Sequence, residues 1–535
     1  MSSGIWTFRF SRRSQNFSMD VPRMARLSAP ATSANIFWWL PAGVLVGLLF
    51  LIIAQLDTRW FFLLFLGGLI FAASLFAVDK KVFYLAMLVL AIPIGIDLNL
   101  YFQPSTFRRS TWGFLIRLSY IPLLALYLIW GFGCVAGRLP FRVSTKGLLP
   151  LSALFASGLI SVLLGQNRLF GAFDLFAFAT SILLFVYVAS EIREPQDVRV
   201  VLFALMVSMA LQGAIAIGQH VTGSALGLEF FGAYRESGQR VEGYLGLAGL
   251  TRVGGTFGHP NSLALFFDLL LPLGFSLLFC PMRRRTKVFL AAAVILGATG
   301  LVVTLSRGGL FSVASALAVI LLVWWREQIG LVRTILAVVL VSTLLALVVF
   351  GTSGPIQKRF FGDTYREAFA RLPLIKVALN MIRDRPLFGV GLNSYTEAAR
   401  EYDNTPERIT FSWNAPVHNI FLFIAGETGL MGLACFLLLL FTVMMALLPA
   451  LRSPDRFLAS VGLGLLIGLM AYLAHAQIDY SQWTHGGHLW LILGLAVSIG
   501  SLGARPATSS GLESLSDKKL IKATGSSVSL VSTGT

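Results

Sequence analysis

Apolar stretches of about 18 or more residues recur along this chain, each long enough to cross a bilayer as a helix. They begin near Ile36, Trp60, Val82, Leu118, Gly147, Phe170, Val200, Ser262, Lys287, Gly308, Leu331, His418, Phe457 and His485. A chain whose 535 residues are 56% hydrophobic and only 13% charged has too little polar surface for a water-soluble domain of this size. The expected fold is therefore an all-α polytopic membrane protein with about 14 transmembrane helices. The run from His418 to Leu448 exceeds one span, so it tilts or begins on the surface.

Orientation follows the placement of Lys and Arg. Arg9, Arg12, Arg13, Arg23 and Arg26 crowd the N-terminal tail, and Arg283, Arg284, Arg285 and Lys287 crowd a later turn. Placing both inside puts both termini in the cytoplasm and about 24 of the 42 basic residues on the inner side. Arg108 and Arg109 run against this bias. The expected organisation is a basic cytoplasmic tail over 1–35, a membrane domain over 36–350 and an extracytoplasmic loop over 351–417. A second membrane segment over 418–504 and a Ser/Thr-rich cytoplasmic tail over 505–535 follow. The basic segment ahead of Ile36 reads as a retained anchor rather than a cleaved signal. A net charge of +17 is spread over turns and tails, so topology accounts for it and no nucleic-acid partner is expected. Cys134, Cys280 and Cys435 lie in or beside spans, which suits packing rather than a disulfide or thiolate framework.

Three polar motifs interrupt the apolar pattern. They are Thr251-Arg252-Val253-Gly254-Gly255-Thr256-Phe257-Gly258-His259-Pro260-Asn261, Ser306-Arg307-Gly308-Gly309 and Val417-His418-Asn419-Ile420. In the expected topology each precedes a helix running from outside to inside, so each marks a helix N-terminus on the outer face. Unpaired N–H groups and the positive end of the helix dipole gather there and favour an anion. Asn261 and Ser306 have the chemistry of N-caps, and the paired glycines permit close backbone approach. Arg252 and Arg307 each offer a planar fork that takes two phosphate oxygens and stays charged. Two arginines neutralise a diphosphate without a metal. His418 supplies proton chemistry near neutrality. A single arginine at a membrane edge commonly anchors the helix to the interface; two arginines and a histidine, ordered on one side, say more.

Other polar groups rank lower. Asp268 and Asp174 lie inside spans and either orients an arginine or makes a structural hydrogen bond. Asp479 sits in an outer turn near His475 and is a candidate for an acceptor site. Glu427, nine residues after His418, points to the opposite helix face. His485 and His488 stand one turn apart but lack the spacing of known metal sites, and Glu401-x-Asp403 is the nearest approach to an Asp-x-Asp pair. No metal and no cofactor are expected. In the long loop, Leu374, Val377, Ala378 and Met381 share one face of a helical stretch near Asp363 to Asp384, stopped by Pro386. Packing on the membrane domain suits it better than a lid. Gly464-x-x-x-Gly468 reads as close helix packing.

The motifs, their order, the multi-span frame and the long outer loop resemble the O-antigen ligase/polymerase (Wzy-like) superfamily. Asp384-Arg385-Pro386-Leu387-Phe388-Gly389-Val390-Gly391-Leu392-Asn393-Ser394-Tyr395 resembles its loop signature, as does His418-Asn419-Ile420-Phe421-Leu422 followed by Glu427-Thr428-Gly429-Leu430. The likeness covers about Gly254 to Leu440. It implies a GT-C-like, metal-independent inverting glycosyltransferase of the bacterial inner membrane, working at the periplasmic face. The implied donor is an undecaprenyl-diphosphate-linked oligosaccharide, and the acceptor a glycan or lipid A-core. Family roles fall on Arg252 and Arg307 as diphosphate binders and on His418 as catalytic base, with Asn261, Ser306, Asn419, Asp268 and Asp479 as supporting candidates. Polymerisation of an exopolysaccharide or O-antigen, with a flippase and a chain-length regulator as partners, is the leading expectation. A ligase acting on lipid A-core, a protein O-oligosaccharyltransferase and a solute transporter are the alternatives.

Overall fold

A computed structural model describes residues 43–44, 47, 58–108, 110–232, 252–325, 364–412, 414–479 and 483–505. Helices α1 (Thr58–Leu75) and α2 (Lys80–Ala91) lead into a hairpin of β1 (Asp97–Leu100) and β2 (Phe114–Arg117). Then come α3 (Tyr120–Val135), α4 (Leu148–Leu164), α5 (Arg168–Glu191), α6 (Pro195–Thr222), α7 (Pro260–Leu277), α8 (Arg284–Val303) and α9 (Arg307–Trp325). The loop region contributes α10 (Thr364–Asp384), α11 (Tyr395–Ala398) and α12 (Ile409–Ser412), and the chain closes with α13 (Ile420–Leu451), α14 (Arg456–His475) and α15 (Gly487–Gly503).

The protein is an all-α polytopic membrane protein. Twelve of the expected spans coincide with described helices; the span starting near Ile36, apart from residues 43–44 and 47, the span starting near Leu331, and the two tails, apart from Arg505, lie outside the described residues. Among the described residues, seven helices are long and apolar enough to cross a bilayer, and four shorter apolar ones accompany them. With 12 residues, α2 is shorter than the hydrophobic run suggested: it ends before Pro93, which leads into the hairpin. That hairpin is the departure from the helical expectation. It is antiparallel, with Asp97 opposite Arg117, and an ion pair of 3.0 Å joins these two side chains.

Helix α7 forms the centre. It is mostly apolar, with Asp268 and Ser276 buried among its apolar residues, as expected for a helix enclosed by others. It packs most extensively on α14, which presses Gly464 and Gly468 against the backbone at Leu273 and Leu269. The small-residue spacing thus does what its sequence implied. On the periphery, α1 keeps most of its apolar surface exposed.

The chain's connections sort into two faces. On one, Gly95 N–H donates to Phe231 O at 2.9 Å, Arg117 donates to His485 O, Gln166 to Glu401 at 3.2 Å and Ile420 N–H to Ala476 O at 2.9 Å. Asn393 reaches Ser110, Thr111 and Phe170. The hairpin, the turns after α4, α6, α8 and α14, and the long loop therefore share this loop face. On the opposite, basic face, Lys81 meets Asp197, Arg193 meets Glu191 and Arg142 O, and Cys280 meets Arg456 O. The three cysteines are unbridged.

The loop face is anchored by a break in α13. At Gly429 the backbone turns to φ 73° and ψ −178°, a region that favours glycine. Into the gap comes Pro386–Gly391. Val390 and Gly391 N–H donate to Gly426 O and Glu427 O at 3.0 and 3.1 Å, while Leu430 and Met431 N–H donate to Pro386 O and Leu387 O at 2.7 and 3.4 Å. The helix's own i→i+4 bonds are replaced one for one, so these backbone groups stay satisfied. Ser161 reinforces the joint through Glu427 O at 2.6 Å. On α10, Leu374, Val377, Ala378 and Met381 are all buried, and this helix packs on α13. It is a packed element, as its apolar face predicted.

Candidate active site

The first motif is a turn clamped from α6. Gln219 accepts from Gly255 N–H at 2.9 Å and donates to Gly255 O at 3.1 Å. Two turns earlier on the same helix, Gln212 accepts from Thr256 N–H at 3.2 Å and donates to its hydroxyl at 2.7 Å. Both glutamines escaped the sequence reading; their seven-residue spacing in an apolar helix is the signal that marks them. The turn delivers Arg252 between two helix ends. Its Nε donates to Thr304 O at 3.1 Å, where α8 finishes, and its Nη2 donates to Asn261 Oδ1 at 2.6 Å. A helix C-terminal carbonyl is a favourable contact for a cation.

Here one expectation is corrected. Asn261 is not the N-cap of α7. His259 takes that place, its Nδ1 accepting from Asn261 N–H at 3.2 Å. Pro260 occupies the first helical position and puts the cap two residues earlier than expected, which frees the Asn261 side chain to orient Arg252.

In the second motif, Ser306 lies just before α9 and Arg307 is its first residue, partly buried. Ser306 Oγ accepts weakly from Gly309 N–H at 3.5 Å, the cap geometry expected, and lies 3.3 Å from His475 Nε2. His475 Nδ1 in turn meets Asp268 Oδ2 at 2.6 Å. Asp268 therefore serves a histidine rather than an arginine. Gly308 leaves room for that imidazole: a Cβ there would fall 2.4 Å from His475 Cδ2.

The third motif joins the others through α14. Asn419 caps α13, accepting from Phe421 and Leu422 N–H at 3.0 Å each, and donates to Gln477 O at 3.1 Å. His418, one residue earlier, is partly exposed. Burial lowers its pKa from the ordinary 6.5; Arg371 and Arg108 act in the same direction, while Asp479 and the Pro416 backbone oppose them. His259 is held lower still, to about 4, chiefly by burial, with Asp479 opposing and Arg252, Arg108 and His418 adding to the shift. Arg252 and His418 thus act on one imidazole, and buried Asp479 acts on both histidines.

Arg108, which counted against the topology, acts electrostatically on both histidines, and Arg371 within α10 acts on His418. Arg108 lies in a loop without periodic pattern, and the period of α10 marks its apolar face rather than Arg371. Other candidates lie elsewhere. Asp174 receives the Thr484 hydroxyl at 3.0 Å, Glu427 is buried in the α13 joint, and Asp403 is engaged inside its own loop by Thr405 and Thr410. His485 stands beside Thr484 and Asp174, whereas His488 packs among Phe257, Phe266 and Tyr472. Among the described residues no group of three His, Cys, Asp or Glu side chains is arranged to hold a metal.

Fold and site together define a multi-pass membrane protein whose polar motifs meet at one end of the bundle. Residues 292–437 match the family described as O-antigen ligase, a segment holding Ser306-Arg307 and His418-Asn419. That match supports the O-antigen ligase/Wzy-like superfamily and a membrane glycan-processing role of ligase or polymerase type. No curated protein matches the chain.

Proposed function

We propose that this protein transfers a glycan from an undecaprenyl-diphosphate carrier to an acceptor hydroxyl at the periplasmic face of the inner membrane, extending a surface polysaccharide. The observation that carries this reading is the meeting of the three motifs at helix N-termini on one face, with Arg252 oriented by Asn261 and Thr304 O. These two contacts, to a backbone carbonyl and an amide oxygen, fix the direction of the guanidinium fork.

In this reading Arg252 and Arg307 grip the donor diphosphate and stabilise the charge that grows on it as it departs. His418 removes the proton from the acceptor hydroxyl. The oxygen attacks the anomeric carbon, the carbon–oxygen bond to the diphosphate breaks, and a single displacement inverts the centre. A lowered pKa keeps His418 unprotonated and able to act as base at neutral pH. Asp479 stabilises the imidazolium once it forms, and no metal takes part.

A second reading is transfer of finished glycan to lipid A-core, and the family description of residues 292–437 favours it. One experiment separates the two. Purified protein is given lipid-linked oligosaccharide with and without lipid A-core, and products are weighed by mass spectrometry. Polymerase activity yields carrier-linked chains longer than the input without lipid A-core. Product that forms only with lipid A-core establishes the ligase, and no glycan transfer with either acceptor refutes both.

A further inference from the structure

Asp268, His475 and Ser306 form a buried row of side chains assembled from α7, α14 and the start of α9. Their exposures are 0%, 2% and 3%. A carboxylate 2.6 Å from Nδ1 requires that nitrogen to carry the proton. Nε2 is then turned toward Ser306 Oγ, 3.3 Å away, and accepts its hydroxyl hydrogen. The Ser306 lone pairs remain for Gly309 N–H, in the first turn of α9. Arg307 stands inside that turn, between the serine and the glycine that packs on the same imidazole. Asp479 and Arg252 are the other charges that reach His475.

We propose that Asp268 and His475 are positioning residues for the donor site: they fix the tautomer that holds Ser306, and through Ser306 set the first turn of α9 and the aim of Arg307. Burying an aspartate costs free energy unless it is paired and hydrogen-bonded. Pure packing at this helix crossing needs neither a carboxylate nor an imidazole. The arrangement follows the logic by which an aspartate fixes a histidine tautomer and the histidine fixes a hydroxyl. Here the hydroxyl caps a helix instead of attacking a substrate. The inference rests on the proposed role of Arg307 as a diphosphate ligand.

The test is binding of undecaprenyl diphosphate to the purified full-length protein in detergent, with thermal melting as a check on folding. Arg307→Lys keeps the charge and loses the fork, so it weakens binding about 10-fold or more. Asp268→Asn permits the opposite tautomer and weakens binding by about 10-fold. Ser306→Ala does the same, and Ser306→Thr, which keeps the hydroxyl, restores affinity. In the Arg307→Lys background, Asp268→Asn adds less than about 2-fold, because both changes act through one side chain. If Asp268→Asn weakens binding equally with and without the native arginine, or leaves it intact while Arg307→Lys weakens it, the positioning role is overturned and the diphosphate reading stands. If Arg307→Lys binds as well as the parent, the diphosphate reading itself fails, and the positioning role with it.

Discussion

The basic face and the Arg252 site handle positive charge differently. On the basic face, Lys81 lies 2.8 Å from Asp197 and Arg193 lies 3.0 Å from Glu191. Each cation meets a carboxylate; the Lys81 pair ties α2 to α6, and Arg193 pairs within its own turn while also reaching Arg142 O. On the loop face, Arg252 is oriented by an amide oxygen and a helix-terminal carbonyl, among histidines whose pKa values are depressed. The first arrangement neutralises charge to stabilise a fold. The second uses neutral oxygens to set the direction of a guanidinium fork, which suits a site for an anion.

Substitutions at the two ends should therefore separate chemistry from stability. The largest effect is expected for His418→Ala, which removes the base and cuts glycan transfer by about 10²–10⁴-fold with carrier binding retained; undiminished polymer on a gel would remove His418 from that role. Arg252→Lys comes next, lowering turnover about 100-fold, since lysine keeps the charge but loses the fork and the Asn261 contact. Single-turnover rates decide it, and a parental rate would show that the guanidinium geometry is irrelevant. The pH profile gives a subtler signature. With the His418 pKa lowered, its imidazole stays unprotonated as the pH falls through 6.5, so the acid limb of the rate lies below that value. Replacing Asp479, which opposes the shift, with Asn moves the limb lower again, and a limb that rises instead would contradict the assigned electrostatics. The smallest effect on chemistry is expected at the basic face. Lys81→Met should leave turnover unchanged while costing about 2 kcal/mol of stability, the scale of a charge-assisted hydrogen bond, read as a lower melting temperature.

Much of this contrast was legible before any coordinates. Long apolar runs locate helices because each span carries its signal locally, and α10 declared its buried face through a helical period. The cap of α7 was expected two residues too late, at Asn261, because Pro260 and His259 compete for the start of that helix. The Asp268–His475 pair was missed because its partners are 207 residues apart and no period links them. Gln212 and Gln219 were overlooked for a related reason: their purpose lies in a turn that only the folded chain brings to them. Arg108 was the most instructive miss. This basic residue counted only against the expected topology, and its influence on His259 and His418 emerges in the fold.

The reciprocal bonds at Gly429 have a consequence for biogenesis. Synthesis runs from the N-terminus, so Pro386–Gly391 is delivered before the helix it completes. When α13 arrives, its severed backbone finds a waiting template, and the segment up to Thr428 is held without its own continuation. A chain in which the template is shortened or stiffened should stall with two half-helices unjoined, a lesion for quality-control proteases rather than a slower enzyme.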